Sequence, residues 1–206
     1  GQTPDSAGTS TAIHSGSKTK SGLIGLADSS KRGDCTSEIK ELKSIMDVFK
    51  LLDKGVGLVT NTRVTHATPA ALYAHSFDRN WEDDSKVPED CLQDDIALQL
   101  INSSIDVALG GGRRHFLPAE VLNQKGKRKD SRNLIEEFKT SGGVFLNDNN
   151  DFKKYKIDTN KRLIGLFSDS HFPYLAEKEN KPSLIELSNL AIEYLNKNRN
   201  GYYLLI

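Results

Sequence analysis

The chain has 206 residues, and its 28 basic and 28 acidic side chains give a formal net charge of zero. That balance argues against nucleic acid as the main partner, because affinity for a phosphate backbone rests on clustered Lys and Arg. No window approaches the roughly 18 uninterrupted apolar residues of a membrane span, and the Ser/Thr/Gly-rich stretch before Gly22 has no apolar run of the signal-peptide kind. The first element in chain order is a helix start at Pro4-Asp5-Ser6-Ala7-Gly8-Thr9. Asp5, Ser6 and Thr9 each carry a capping side chain, so Ser6 is expected at or beside a positive helix N-terminus. That position suits a nucleophile receiving a phosphate, and equally a plain capped helix.

Residues 37–52 space Ile39, Leu42, Ile45, Met46, Phe49 and Leu52 by threes and fours, which predicts one helix with a single apolar face. Residues 55–60 then read as a buried strand. The segment after it, from Thr60 to Ala71, contains His66 and the pair Thr68-Pro69, a local N-cap followed by a first helical residue. Beyond it come Tyr73-Ala74-His75 and the single guanidinium of Arg79. Between Glu82 and Asp95 lie seven acidic residues against Lys86 alone, read as a solvated face.

Residues 96–101 predict a helix and 105–109 a strand, after which Gly110-Gly111-Gly112-Arg113 lacks both the P-loop ending and the dinucleotide spacing. A tight strand exit is the reading there. Residues 123–133 form an insertion-like loop within which the basic run 125–132 reads as solvated. A helix at 134–139 precedes a strand at 144–146, and Pro182 opens a helix in which Ser183 and Glu186 have the capping-box spacing. Asn200-Gly201 stops it, and 202–206 reads as a further buried strand. Helices alternating with short apolar strands imply an α/β class, three-layer α/β/α on a central, largely parallel sheet, over a single domain 1–206. In such sheets ligands gather beyond the carboxyl ends of strands. Cys35 and Cys91 permit one disulfide, worth roughly 4 kcal/mol through the unfolded state; two free thiols fit the composition as well.

Taken together, these stretches resemble the alkaline phosphatase family. Asp5-Ser6-Ala7-Gly8-Thr9 is similar to its nucleophile motif, and Thr62-Arg63-Val64-Thr65-His66-Ala67-Thr68-Pro69-Ala70 to its magnesium-site segment. Further similarity runs in family order through Tyr73-Ala74-His75, Asp78-Arg79-Asn80-Trp81, Asp95-Ile96-Ala97, Gly110-Gly111-Gly112-Arg113, Gly165-Leu166-Phe167 and Pro182-Ser183-Leu184.

The resemblance implies a phosphomonoesterase that hydrolyses small phosphate monoesters through a phosphoserine intermediate, with two zinc ions and one magnesium. Ser6 would be the nucleophile and a zinc ligand, Arg79 the phosphate clamp and Asp5 its support. His66 and Thr68 would belong to the magnesium site, His66 in the animal-type pattern where some bacterial members carry aspartate. Cys35 falls where animal members carry a bridged cysteine, and Cys91 lies a few residues from the corresponding partner position. The resemblance also implies a secreted or cell-surface homodimer, with any membrane anchor in a missing C-terminus. The sequon Asn102-Ser103-Ser104 agrees with export.

The chain departs from the family in its cations. Some animal members bind calcium through acidic residues at the positions of Ser168 and Lys181, with Glu137 matching a third ligand. None of the five histidines (His14, His66, His75, His115, His171) pairs with another at metal-ligand spacing. The family's other metal ligands would fall upstream and downstream, so the chain reads as the central piece of a longer enzyme, with little or no activity alone. A non-catalytic α/β binding or scaffold domain is the alternative, and a phosphodiesterase or sulfatase relative is disfavoured because Ser6 lacks the sulfatase signature.

Overall fold

The computed structural model describes residues 3–36, 40–119, 126–177 and 180–206. By contacts the chain forms two compact units, Gly1–Val48 with Thr65–Ser103, and Phe49–Val64 with Ser104–Ile206. In the first, α1 (Ser6–Ser15) ends on Gly16, whose left-handed φ of 71° turns the chain out of the helix. Helix α2 (Ile45–Leu51) leads toward the second unit, while α3 (Ala67–Ala70) and α4 (Ile96–Asn102) complete the first. Its small core gathers Leu23, Leu26, Phe77, Trp81 and Cys91, with Cys35 and Val87 packed on it. The Phe77 and Trp81 rings meet edge-on at 6.5 Å, an arrangement worth about 0.5–1.5 kcal/mol beyond the area buried. Cys35 and Cys91 are bridged, their Cα atoms 5.5 Å apart across 56 positions of sequence.

The second unit is a five-stranded, all-parallel sheet. Its strands are β1 (Gly55–Arg63), β2 (Val107–Gly111), β3 (Val144–Leu146), β4 (Leu163–Leu166) and β5 (Tyr202–Leu205), in spatial order β3-β4-β2-β1-β5. Every pairing is parallel, with Gly57 opposite both Val107 and Leu204. Helices α5 (Leu134–Thr140), α6 (Asn149–Lys154) and α7 (Leu184–Leu195) flank it. Parallel strands need such crossovers and are buried by them. Leu187, Ala191, Tyr194 and Leu195 of α7 join Val59, Val107, Leu109, Leu163 and Phe167 in one core. The capping box at Ser183 and Glu186 is formed on both arms. Among the described residues no helix is long and apolar enough to cross a membrane.

Several elements differ from their sequence pattern. The helix predicted over 37–52 begins only at Ile45; residues 37–39, including Ile39, lie outside the described residues. Residues 40–42 are extended instead, because the Ala27 amide donates to the Lys40 carbonyl and the Leu42 amide to that of Gly25. Strand β1 runs on to Arg63, and β2 spans Val107–Gly111 rather than 105–109; just before it the Asp106 carboxylate accepts from the Val56 amide at 2.7 Å and from Lys50. Strand β5 is half-buried rather than buried, since among the described residues it pairs with β1 alone. Strand β4 and helix α6 were not anticipated: four residues including Gly165, and a polar stretch whose cap is Asp148, carry little periodicity.

The charged runs are only partly solvated: Glu89, Asp90, Asp94, Lys127 and Lys129 are exposed, but other members of both runs are not. Glu82, Asp83 and Asp95 are buried: Asp95 caps α4 through the Leu98 amide, and Asp83 caps a 3₁₀ turn through that of Ser85. In the basic run, Lys125 lies outside the described residues, whereas Arg128 is 1% exposed and ion-paired to Asp130 at 2.5 Å. Burial was possible because local carboxylates and amides supplied partners, which a count of like charges does not register.

Candidate active site

Asp5 is the N-cap of α1, so the structure selects it among the three candidate caps. Its Oδ1 accepts from the Gly8 amide at 3.0 Å, and its backbone carbonyl accepts the Thr9 hydroxyl at 2.8 Å. Ser6 is thereby fixed as the first residue of the helix, half-buried, in the partial positive charge of the amides that open α1. Its hydroxyl makes no side-chain hydrogen bond among the described residues.

The other oxygen of Asp5, Oδ2, accepts from the Gly22 amide at 3.1 Å and from Arg79 Nη1 at 3.1 Å. Both side chains of this ion pair are largely shielded, 20% and 23% exposed, which lessens solvent screening. Burial pushes the Asp5 carboxyl up, but the bonds from Gly8, Arg79 and Gly22 outweigh it and hold the group below its ordinary value. Asp5 therefore stays ionised and keeps its hold on the guanidinium. Nη2 of Arg79 lies 3.2 Å from His66 Nε2, so one planar fork is braced on two sides, by a carboxylate and an imidazole.

Thr68 is not an N-cap. Helix α3 starts two residues earlier, with His66 as its extended N-cap and no side-chain capping bond, so Thr68 and Pro69 both sit in the first turn. The missing proline amide costs nothing there, because first-turn N–H groups have no intrahelical partner. The Thr68 side chain is exposed, and its carbonyl accepts the Ser10 hydroxyl of α1 at 2.6 Å, tying α1 to α3. Beneath them the buried Thr65 hydroxyl donates to Glu82 at 2.6 Å.

Asp5, Ser6, Arg79 and His66 are thus brought together within the first unit, and α3 carries Thr68 beside α1. The sequence did not single out Gly22, whose amide completes the Asp5 carboxylate; the turn signal of Ser21-Gly22 was the only trace of it. Gly110 and Gly111 still belong to β2, so the strand exit falls at Gly112, at φ 97°, and a Cβ on Gly111 would collide with the Ser170 carbonyl.

Among the described residues no group of three or more His, Cys, Asp or Glu gathers into a metal cage. Ser6, His66 and Thr68 offer single donors, and His66 Nε2 is turned to a guanidinium, so these residues do not by themselves fit a complete zinc or magnesium site. A calcium site of the animal type does not fit either. Lys181 Nζ lies 3.3 Å from Ser168 Oγ, and Glu137 is held in a fork by Arg132 at 2.9 and 2.6 Å. Lys181 stands at one of these positions, and Lys181 and Arg132 engage the oxygens at the other two that a cation would need.

Comparison with known proteins bears on this arrangement. An alkaline phosphatase from Gadus morhua is 38% identical across the whole chain, which spans 47% of that protein. The human tissue-nonspecific isozyme is 36% identical over the whole chain, which covers 43% of it. The chain thus spans less than half the length of these relatives. Among solved structures, the alkaline phosphatase of the Antarctic bacterium TAB5 superimposes with a TM-score of 0.76 at 28% identity, over 98% of this chain and 50% of the other. That of Thermus thermophilus gives 0.77 at 30% identity, over 98% and 37%. A variant of the TAB5 enzyme, TM-score 0.73 at 26% identity over 98% of this chain and 49% of that one, is described with Mg bound in its M3 site. The family model for alkaline phosphatase matches residues 1–206. With Asp5-Ser6 opening α1, Arg79 braced beside it and this match over the full length, the chain belongs to the alkaline phosphatase family.

Proposed function

We propose that this chain carries the nucleophile and the phosphate clamp of an alkaline phosphatase that hydrolyses small phosphate monoesters. The observation that carries the reading is the Asp5 carboxylate, which caps the helix presenting Ser6 with one oxygen and holds Arg79 with the other. Nucleophile and anion-binding group are thereby referenced to one side chain, the kind of preorganisation that phosphoryl transfer depends on.

In this reading Ser6 Oγ attacks phosphorus, the new O–P bond forms as the ester O–P bond breaks, and the alcohol leaves with a proton. Arg79 holds two non-bridging oxygens in a bidentate fork while charge spreads over them. Water then cleaves the phosphoserine, releasing inorganic phosphate and returning the hydroxyl to Ser6. Asp5 keeps the guanidinium aimed in both steps. Two zinc ions and one magnesium belong to the same proposal for the longer protein, where they would supply Lewis acidity and lower the pKa of the attacking groups; Ser6, His66 and Thr68 are this chain's donors toward them. The Cys35–Cys91 bridge and the exposed Asn102 sequon support a secreted or cell-surface setting. Family likeness supports a homodimer, with any membrane anchor outside these 206 residues.

The test is phosphoserine trapping at low pH in the full-length protein. Wild type should become labelled and Ser6→Ala should not; unchanged hydrolysis by Ser6→Ala would leave the scaffold reading in its place. The isolated 206 residues should turn over an aromatic phosphate little or not at all with added zinc and magnesium.

A further inference from the structure

Resting on the phosphatase reading, a second layer of the clamp is visible in Gly22, Arg32 and Asp78. Gly22 touches both ends of the Asp5–Arg79 pair. Its amide donates to Asp5 Oδ2 at 3.1 Å and its carbonyl accepts the Arg79 amide at 2.9 Å. Together with the bond from Arg79 Nη1 to Asp5 Oδ2, these close a ring: carboxylate, glycine peptides, arginine backbone, guanidinium, and back to the carboxylate. The ring needs glycine, since φ is 85° and a Cβ there would collide with Cδ and Nε of Arg32.

Arg32 in turn is fixed by Asp78, the residue before Arg79, through a fork of Nε to Oδ2 at 2.8 Å and Nη2 to Oδ1 at 3.1 Å. The same Oδ1 accepts the Asn80 amide at 2.8 Å, so both neighbours of Arg79 are tied to one carboxylate. Arg32 is 43% exposed. An ion pair so placed contributes little to stability. Its place over the ring points to another role.

We propose that the Arg32–Asp78 pair is a positioning device for phosphate binding: it closes over Gly22 and holds residues 78–80 so that Arg79 meets a phosphate already aimed. A long arginine otherwise loses rotamer freedom on being fixed, and a frame that fixes it in the folded protein removes that cost from binding. Neither Arg32 nor Asp78 is asked to touch the substrate.

The experiment uses the full-length protein with Arg32→Ala, Arg32→Lys, Asp78→Asn and the double variant Arg32→Ala/Asp78→Asn. The readouts are inhibition by inorganic phosphate, KM and kcat for an aromatic phosphate, and the melting temperature. The inhibition constant and KM should rise about tenfold in Arg32→Ala and in Asp78→Asn, within the roughly 10²-fold that small misplacements cost, with kcat less affected. The double variant should be no worse than the worse single one, and Arg32→Lys should recover only part of the loss because it lacks the fork. The melting temperature should barely move. Unchanged phosphate affinity in Asp78→Asn and Arg32→Lys, both conservative enough to fold, overturns the proposal, as does a loss of affinity that only tracks loss of folded protein. Wild type that binds no phosphate would instead overturn the phosphatase reading, and this inference with it.

Discussion

Arg79 reaches Asp5 through Nη1 at 3.1 Å and His66 through Nη2 at 3.2 Å, so both arms of its fork are engaged before any ligand arrives. Lysine carries the same charge but has one ammonium and cannot span both partners. In the full-length enzyme Arg79→Lys should lower kcat/KM about 10²- to 10³-fold, the usual loss when one donor to a developing anion is removed. Steady-state kinetics with an aromatic phosphate reads this, and a loss under threefold would contradict the bracing described here.

The bridge between Cys35 and Cys91 packs into the small core around Phe77 and Trp81. Its removal releases a loop of 56 positions in the unfolded state, which typically costs 2–5 kcal/mol, about what native disulfides contribute in small domains. Denaturation with and without reductant, or of Cys35→Ser, should show a loss in that range. Because Arg32 lies three residues before Cys35, weaker phosphate inhibition should accompany it.

How far the sequence reached can be judged from individual residues. Asp5-Ser6 and the Ser183–Glu186 box were legible because capping is local chemistry written over four residues. The parallel sheet was legible from period and length, though β5 proved half-buried and α2 a short helix, since tertiary hydrogen bonds at residues 25–27 decided residues 40–42. Gly22 and the buried Glu82 were not legible. Each acquires its meaning from a partner distant in sequence, Asp5 in one case and Thr65 in the other, and no local pattern encodes that distance.

His14 is 3% exposed on α1, and burial depresses its pKa from 6.5 to about 4. The folded state holds the ring neutral, so between pH 6.5 and about 4 the unfolded chain binds the additional proton. Stability is complete above pH 6.5 and falls with acid through that window, by up to about 1.4 kcal/mol per pH unit from this group. Urea titrations at pH 7, 6 and 5 on wild type and His14→Gln should differ in slope, wild type being steeper. Equal slopes would remove His14 as the cause.

Lys181 beside Ser168, and Arg132 across Glu137, place fixed positive charge at the positions where the family resemblance implies calcium ligands. Millimolar calcium should leave the melting temperature of the full-length protein unchanged. Joint substitution of Ser168→Asp and Lys181→Glu should create a calcium-dependent rise, since a ligand bound only by the folded state stabilises by about 2.7 kcal/mol at a hundredfold excess over Kd. A calcium response in wild type would contradict the misfit of a calcium ion at these residues.

The strand order β3-β4-β2-β1-β5 sets a schedule for folding as well as a shape. Gly55 pairs with Tyr202 and Leu58 with Leu205, so β1 waits for residues far downstream of it in the sequence. Closing so long a loop is slow, because its entropy is lost before the pairing returns anything. Until β5 arrives, one side of β1 is an open edge of unpaired amides and carbonyls, a template for association with other chains. During synthesis on a ribosome this edge stays unguarded until Tyr202–Leu205 has emerged, which makes β5 a kinetic safeguard for β1 as well as its partner.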